Sequence, residues 1–155
     1  SKAIELDPDD AVAYSNRGAA KAKLKDYYGA ISDYSIAIEL NPDYADAYSN
    51  RGSAKDNLKD YYGAISDFSK AIELNPDSAM AYSNRGVSKK NLKDYYGAIS
   101  DYSKAIELKP SVISTFCLTP PKARLGDWNS ACDDWRKAVS MGNKDASKMV
   151  ESQCK

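Results

Sequence analysis

Histidine is missing from this chain, and with it go the commonest general base and the commonest metal ligand. Cysteine is scarce: Cys117, Cys132 and Cys154 all fall in the last third, without the spacing of a zinc site. An odd number in an otherwise cysteine-free chain reads as reduced thiols and a cytoplasmic compartment, with a Cys132–Cys154 disulfide as the alternative. Net charge is absent as well. Lys and Arg together number 22, as do Asp and Glu, so no bulk field draws in nucleic acid or an anionic membrane. The apolar runs fall far short of the roughly 20 residues that span a bilayer, so no membrane insertion is expected. No glycine-rich phosphate loop occurs. Asp133 and Asp134 are adjacent, so on a helix they point apart and cannot act as a carboxylate pair, and Cys132 has no histidine to activate it. The chain is therefore not expected to be an enzyme, nor to carry a cofactor or metal.

What the chain has in quantity is repetition. AYSNRG is spelled at residues 13–18, 47–52 and 81–86, and DYYGAI at 26–31, 60–65 and 94–99. Proline keeps the same 34-residue step at Pro8, Pro42, Pro76 and Pro110. Residues 45–78 and 79–112 are identical at 26 of 34 positions, and the same register makes Ala11–Tyr44 the first copy. A catalytic site needs one copy of its machinery, whereas a fixed period of this size marks a solenoid whose units each bury a face against the next.

Each period reads as two helices. In the second copy Ala47, Tyr48, Gly52, Lys55 and Leu58 recur at helical spacing, with Lys55 contributing only its stem. Asp43 and Asp77 precede such helices as expected N-caps. A second helix follows Asp60, with Tyr61, Ala64, Ile65, Phe68, Ala71 and Ile72 on its apolar face, and Asn75-Pro76 stops it. Short connections make the two helices antiparallel.

These residues resemble the tetratricopeptide-repeat (TPR) family. Its pattern of aromatic, glycine, alanine, aromatic, alanine and proline is met by Tyr48, Gly52, Ala64, Phe68, Ala71 and Pro76. The first copy meets it with Tyr14, Gly18, Ala30, Tyr34, Ala37 and Pro42, and the third with Tyr82, Gly86, Ala98, Tyr102, Ala105 and Pro110. The chain departs from the family in carrying Arg17, Arg51 and Arg85 before the glycine, and Lys21, Lys55 and Lys89 where a tyrosine is usual. The resemblance implies an all-α, right-handed α-solenoid of antiparallel helix pairs with a C-terminal capping helix, over a single domain.

Within it, residues 1–8 read as the end of a second helix, so that repeats are expected upstream of a clipped or fragmentary chain. Repeats follow at 11–44, 45–78 and 79–110, then an irregular fourth at 111–142 and a cap at 143–153. Pro120 and Pro121 fall in what should be the first helix of the fourth unit, which is expected to be broken or displaced.

The resemblance further implies that the first helices line a concave wall along which a protein or peptide partner lies. The residues mapped to that wall are Val12, Ser15, Asn16, Ala19 and Lys23, then Asp46, Ser49, Asn50, Ser53 and Asn57, then Met80, Ser83, Asn84, Val87 and Asn91. Asn16, Asn50 and Asn84 stand out, because an amide side chain can pair with both the carbonyl and the N–H of a peptide unit. Helices packed about 8–10 Å apart and a strand rising roughly 3.3 Å per residue bring such a ladder to every third residue. The family's carboxylate clamp needs Lys, Asn, Asn, Lys and Arg; here Ser15, Ala19, Asn50, Met80 and Asn84 stand in those places, and that mode is rejected.

Arg17, Arg51 and Arg85 face Asp33, Asp67 and Asp101 as a structural charge ladder in preference to a phosphate site. Tyr28, Tyr62 and Tyr96 form an expected outward row, a candidate interface, with half-buried rings as the alternative. The expected function is thus a scaffold binding an extended peptide in a groove. The alternative is a structural homo-oligomer that self-associates through its open first half-repeat, its irregular fourth unit or its tyrosine row.

Overall fold

The computed structural model describes residues 4, 5 and 7–109, and beyond them residues 132, 133, 136, 139, 140, 150, 151 and 154. Two units divide the chain, Ser1–Asp77 and Ser78–Lys155. The first contains helices α1 (Ala11–Lys23), α2 (Tyr27–Leu40), α3 (Ala45–Asn57) and α4 (Tyr61–Leu74); the second contains α5 (Ala79–Asn91) and α6 (Tyr95–Leu108). No strand occurs among the described residues. Within the first unit α1 packs on α2, α2 on α3 and α3 on α4, and within the second α5 packs on α6. The irregular fourth repeat, its proline pair and the cap at 143–153 lie outside the described residues, apart from the isolated positions named above.

The helix ends are fixed by side chains written into every repeat. Asp26, Asp60 and Asp94 cap α2, α4 and α6, accepting from the N–H groups of Gly29, Gly63 and Gly97 at 3.0, 3.0 and 2.9 Å. A Cβ on any of these glycines would run into the capping carboxylate itself, so the glycine makes room for the cap. α2 and α4 end at Asn41 and Asn75, where the following prolines deny the helix a donor and push their predecessors into extended backbone.

Asp43 and Asp77 do not cap the helices that follow them. The Asn41 and Asn75 side chains accept from the Asp43 and Asp77 N–H groups at 3.1 and 3.2 Å, and these turns place the cap one residue later. That position is Asp10 before α1, accepting from Val12 and Ala13 at 2.8 and 3.1 Å. Before α5 it is Ser78, accepting from Ala81 at 3.3 Å, and before α3 it is Tyr44, with no side-chain cap.

The connection inside each helix pair is the same tight motif three times. In the first, the Lys25 N–H donates to the Ala22 carbonyl at 2.9 Å and the Asp26 N–H to the Lys21 carbonyl at 3.0 Å, closing the last turn of α1. The geometry requires a left-handed residue, and Lys25, Lys59 and Lys93 supply it at φ of 64°, 64° and 65°. Glycine is the usual occupant of that position, because it has no Cβ to clash with the following carbonyl.

Small residues let the helices of a pair close up. A Cβ on Gly52 would lie 3.0 Å from the Phe68 ring and 3.2 Å from the Ala64 carbonyl; on Gly18 it would lie 2.9 Å from the Tyr34 ring, and on Gly86 2.8 Å from that of Tyr102. In the first unit Ala30, Tyr34 and Ala54 form one buried cluster, and Ala37, Ile38 and Ala47 another. Burying a ring such as Phe68 contributes about 1.5–3 kcal/mol, more than any single cap.

Cys132 is buried and bonded to Cys154, with the two Cα atoms 5.6 Å apart. The expectation of reduced thiols is thereby corrected for this pair: the residues lie 22 apart in sequence but adjacent in space. Disulfides persist in oxidising surroundings, so the cysteine count no longer supports a cytoplasmic compartment. No helix among the described residues is long and apolar enough to cross a membrane.

Two substitutions test the repeated turn. Lys59→Gly relieves the left-handed lysine and should stabilise the protein by about 0.5–1 kcal/mol, the gain being limited by glycine's greater freedom when unfolded. Gly63→Ala should destabilise it by about 1 kcal/mol or more through loss of the Asp60 cap. Urea unfolding followed by circular dichroism reads both.

Candidate functional site

The strongest electrostatic feature of each repeat is a buried aspartate beneath two cations. Asp33 receives Arg17 Nη2 at 2.7 Å and Nε at 2.8 Å, and Lys21 Nζ at 2.9 Å. Asp67 receives Arg51 at 2.7 and 2.9 Å and Lys55 at 2.8 Å, and Asp101 receives Arg85 at 2.7 and 2.9 Å and Lys89 at 2.8 Å. The three aspartates are 1–4 % exposed. Each guanidinium also lies over a ring of its own helix, Arg17 on Tyr14 at 5.2 Å, Arg51 on Tyr48 and Arg85 on Tyr82 at 5.5 Å. Arg51 Nη1 further donates to Ser35 on α2 at 3.0 Å, joining the first repeat to the second.

Burial pulls the Asp33 carboxyl up, but the hydrogen bonds from Arg17 and Lys21 outweigh it and hold its pKa below the usual range. The hydrogen bond to Asp33 in turn raises Arg17, and that to Asp101 raises Arg85. Both oxygens of each carboxylate are engaged from the same side, so these clusters join helix to helix. Lys55 was expected to contribute only its stem; its ammonium is a full member of the cluster.

The paired cations are turned toward the second helix of each repeat. A cavity of about 360 Å³ opens between α1, α2 and α3 in the first unit. From α1 it is lined by Ala19, Ala22 and Lys23, and from α3 by Asn50, Ser53, Ala54 and Asn57. Tyr27 and Tyr34 of α2 complete it. Asn50 is exposed, and its amide bonds to none of the described residues. Asn57 donates to the Ser53 carbonyl at 2.8 Å and Ser53 to the Ser49 carbonyl at 3.0 Å, so both offer chiefly acceptor oxygens. Lys23 is exposed and forms no ion pair with a described residue.

Of the residues mapped to the wall, the structure gathers Ala19, Lys23, Asn50, Ser53 and Asn57 at this cavity. Asn16 on α1 is exposed and Ser49 on α3 half-buried, neither lining it. Ser15 is corrected as an accessible contact: it is 4 % exposed, on the packed side of α1. Ser83, Asn84 and Asn91 stand on α5, half-buried, half-buried and exposed in turn. Tyr28, Tyr62 and Tyr96 are 77, 77 and 76 % exposed, so the half-buried alternative for those rings does not hold. The tyrosines lining the cavity were not anticipated, since Tyr27 reads as core in the repeat pattern. The signal for them was the alanine stripe Ala19, Ala22 and Ala54, which leaves their edges uncovered.

Comparison with known proteins agrees with this geometry. The profile of the family described as Tetratricopeptide repeat matches residues 11–44, 45–78 and 79–112, well over half of the chain. Comparison with curated protein sequences gives no match. Among solved structures the chain is similar to the Arabidopsis OM64 TPR domain, at 30 % identity over 66 % of this chain and 85 % of that one, with a TM-score of 0.66. It is similar to MamA at 25 % identity over 94 % of this chain and 86 % of that one, with a TM-score of 0.83. A third is the first TPR of Spaghetti (RPAP3) bound to the HSP90 peptide SRMEEVD, at 27 % identity over 84 % and 90 %, with a TM-score of 0.66.

The clusters make a prediction about acid. The contribution of Asp33 is complete above the ordinary carboxylate pKa of about 3.9 and is lost as pH falls through its lower folded value. The melting-temperature gap between the native chain and Asp33→Asn should therefore be full at neutral pH and narrow only below about pH 4. Asp67→Asn, which strands two less exposed cations, should be destabilising by about 3 kcal/mol or more in a neutral-pH denaturant titration.

Proposed function

The chain belongs to the tetratricopeptide-repeat family, and we propose that it is a protein-interaction scaffold that holds an extended peptide segment along its first helices. The observation that carries this is Asn50, an exposed amide with donor and acceptor both unspent, standing at an open cavity between two repeats. Its counterparts Asn16 and Asn84 occupy the same place in the repeat, and their side-chain amides likewise bond to no described residue. The family's helix-pair repeat presents surface without chemistry of its own, so binding is the function in view and reaction is not. The Spaghetti domain is solved with an acidic peptide bound. Here only Asn50 remains of the five clamp positions, so the contact made by that peptide's end is not carried over.

Peptides selected on the immobilised protein from a random library should lose affinity about fivefold to tenfold on Asn50→Ala, the worth of a lost pair of neutral hydrogen bonds. Helicity should be unchanged, and titration calorimetry reads the affinity. Equal affinity for the variant and the native chain would remove the asparagine from the binding role.

Self-association is a second reading, favoured by the three rings that project from the start of α2, α4 and α6. Exposed tyrosines at like positions are suited to a partner surface, because each offers large apolar area at low entropic cost. The triple variant Tyr28→Ser, Tyr62→Ser, Tyr96→Ser should abolish any concentration-dependent rise in mass seen by light scattering. A chain that stays monomeric at every concentration refutes this reading and leaves the first untouched.

A further inference from the structure

The turns inside the helix pairs carry more than their backbone geometry requires. Lys25, Lys59 and Lys93 hold a left-handed conformation that glycine takes without strain. All three are exposed, and their ammonium groups pair with no described residue. Beside each stands an exposed aspartate, Asp26, Asp60 or Asp94. One oxygen of that carboxylate holds the glycine cap, and the other bonds to no described residue. Two residues further on, the ring of Tyr28, Tyr62 or Tyr96 lies largely in solvent.

In the first unit the topology gathers two of these turns. α2 packs on both α1 and α3, and α3 on α4. Consecutive helices joined by short connections run antiparallel, so the α1–α2 and α3–α4 turns stand at the same end of the unit. That end presents lysine, aspartate and tyrosine, then lysine, aspartate and tyrosine again. The order decides the partner. Each positive charge has a negative one as its chain neighbour, so the row has no net charge. A nucleic acid or an anionic membrane would meet as much repulsion there as attraction. What matches alternating charges and rings is a surface that alternates likewise, and a second copy of the row is such a surface.

We infer that this edge is a two-fold contact between copies of the chain, in which the rings pack together and each lysine pairs with an aspartate of the facing turn. A two-fold contact brings residue i to j and j to i, so Lys25 meets the partner's Asp60 and Lys59 the partner's Asp26. The turn between α5 and α6 carries the same three residues. The inference rests on the self-association reading of the tyrosine row and adds to it the groups that choose the partner and set the register. The rings supply area, and the charges supply specificity. Few side chains take part beside the roughly 20–30 residues a side of a standard interface, so the dimer is weak, with a dissociation constant of about 0.1 mM.

Sedimentation equilibrium on the whole 155-residue chain tests it. The native chain should dimerise, and about threefold more weakly in 0.5 M than in 0.05 M sodium chloride. The combined variant Lys25→Glu, Lys59→Glu, Lys93→Glu should weaken the dimer about tenfold, because like charges then face one another. The combined variant Asp26→Asn, Asp60→Asn, Asp94→Asn keeps the helix caps, since asparagine caps as well as aspartate, and should weaken it about threefold. Helicity by circular dichroism should be the same in all three proteins. Mixed in equal amounts, the two variants should form a heterodimer tighter than either homodimer: the lysines of one then face the aspartates of the other, and no like charges are opposed. A heterodimer no tighter than the homodimers overturns the charge pairing. So does a dimer that ignores the lysine variant yet is lost in the triple tyrosine variant, and that result keeps the self-association reading. A native chain that stays monomeric throughout overturns both.

Discussion

A buried carboxylate shared between an arginine and a lysine of the neighbouring helix organises each repeat. Taking an aspartate out of water costs several kcal/mol, and that cost is offset only where the geometry is good and both oxygens are satisfied. Asp67 meets both conditions, with a forked guanidinium on one edge and an ammonium on the other. The arginine is in turn held flat by the tyrosine three residues before it. Alanines and a glycine alone would let one helix slide along its partner, since methyl groups pack almost equally well at several offsets. The forked pair permits one offset.

That cluster also decides what is left for the outside. Two of the three cations that the first helix of repeat one carries in its interior and last turn are spent on Asp33, leaving Lys23 as the free one. In the next two repeats the place of Lys23 is taken by Asn57 and Asn91, so this position carries a charge in the first repeat only. The arginines and lysines that depart from the family's usual residues are thus a single departure: together they set a pair of cations on the buried aspartate at the joint between helices.

Most of the architecture was legible because it is periodic. The aspartate at 26, 60 and 94, the glycine three residues on and the proline after the second helix each carry a local reason, and each appears three times. What escaped was nonlocal or fell one residue aside. Asp43 and Asp77 look like caps, but the asparagine two residues earlier folds the turn over them first. Lys55 looks like a stem on an apolar stripe, since nothing in one helix reveals that the carboxylate of the next lies within its reach. Ser15, Ser49 and Ser83 look equivalent, yet Ser15 is buried and the others are not. The Cys132–Cys154 bond, which the sequence offered only as the alternative to reduced thiols, joins residues no periodicity relates.

The differences among the copies carry as much information as their likeness. Across α2, α4 and α6 the three sequences differ only at Tyr34, Phe68 and Tyr102 and at Ile36, Lys70 and Lys104. Across α1, α3 and α5 they differ at Val12, Asp46 and Met80, at Ala19, Ser53 and Val87, and at Lys23, Asn57 and Asn91, among others. The helix that must fit its partner is nearly fixed, whereas the helix that offers a wall changes at the positions facing the cavity. The single exchange inside the fixed helix that alters hydrogen bonding, Tyr34 against Phe68, occurs at a ring that touches that same cavity. Variation in a repeat protein is cheapest where nothing packs, and here it gathers at a hollow with an unspent hydroxyl, amide and ammonium around it.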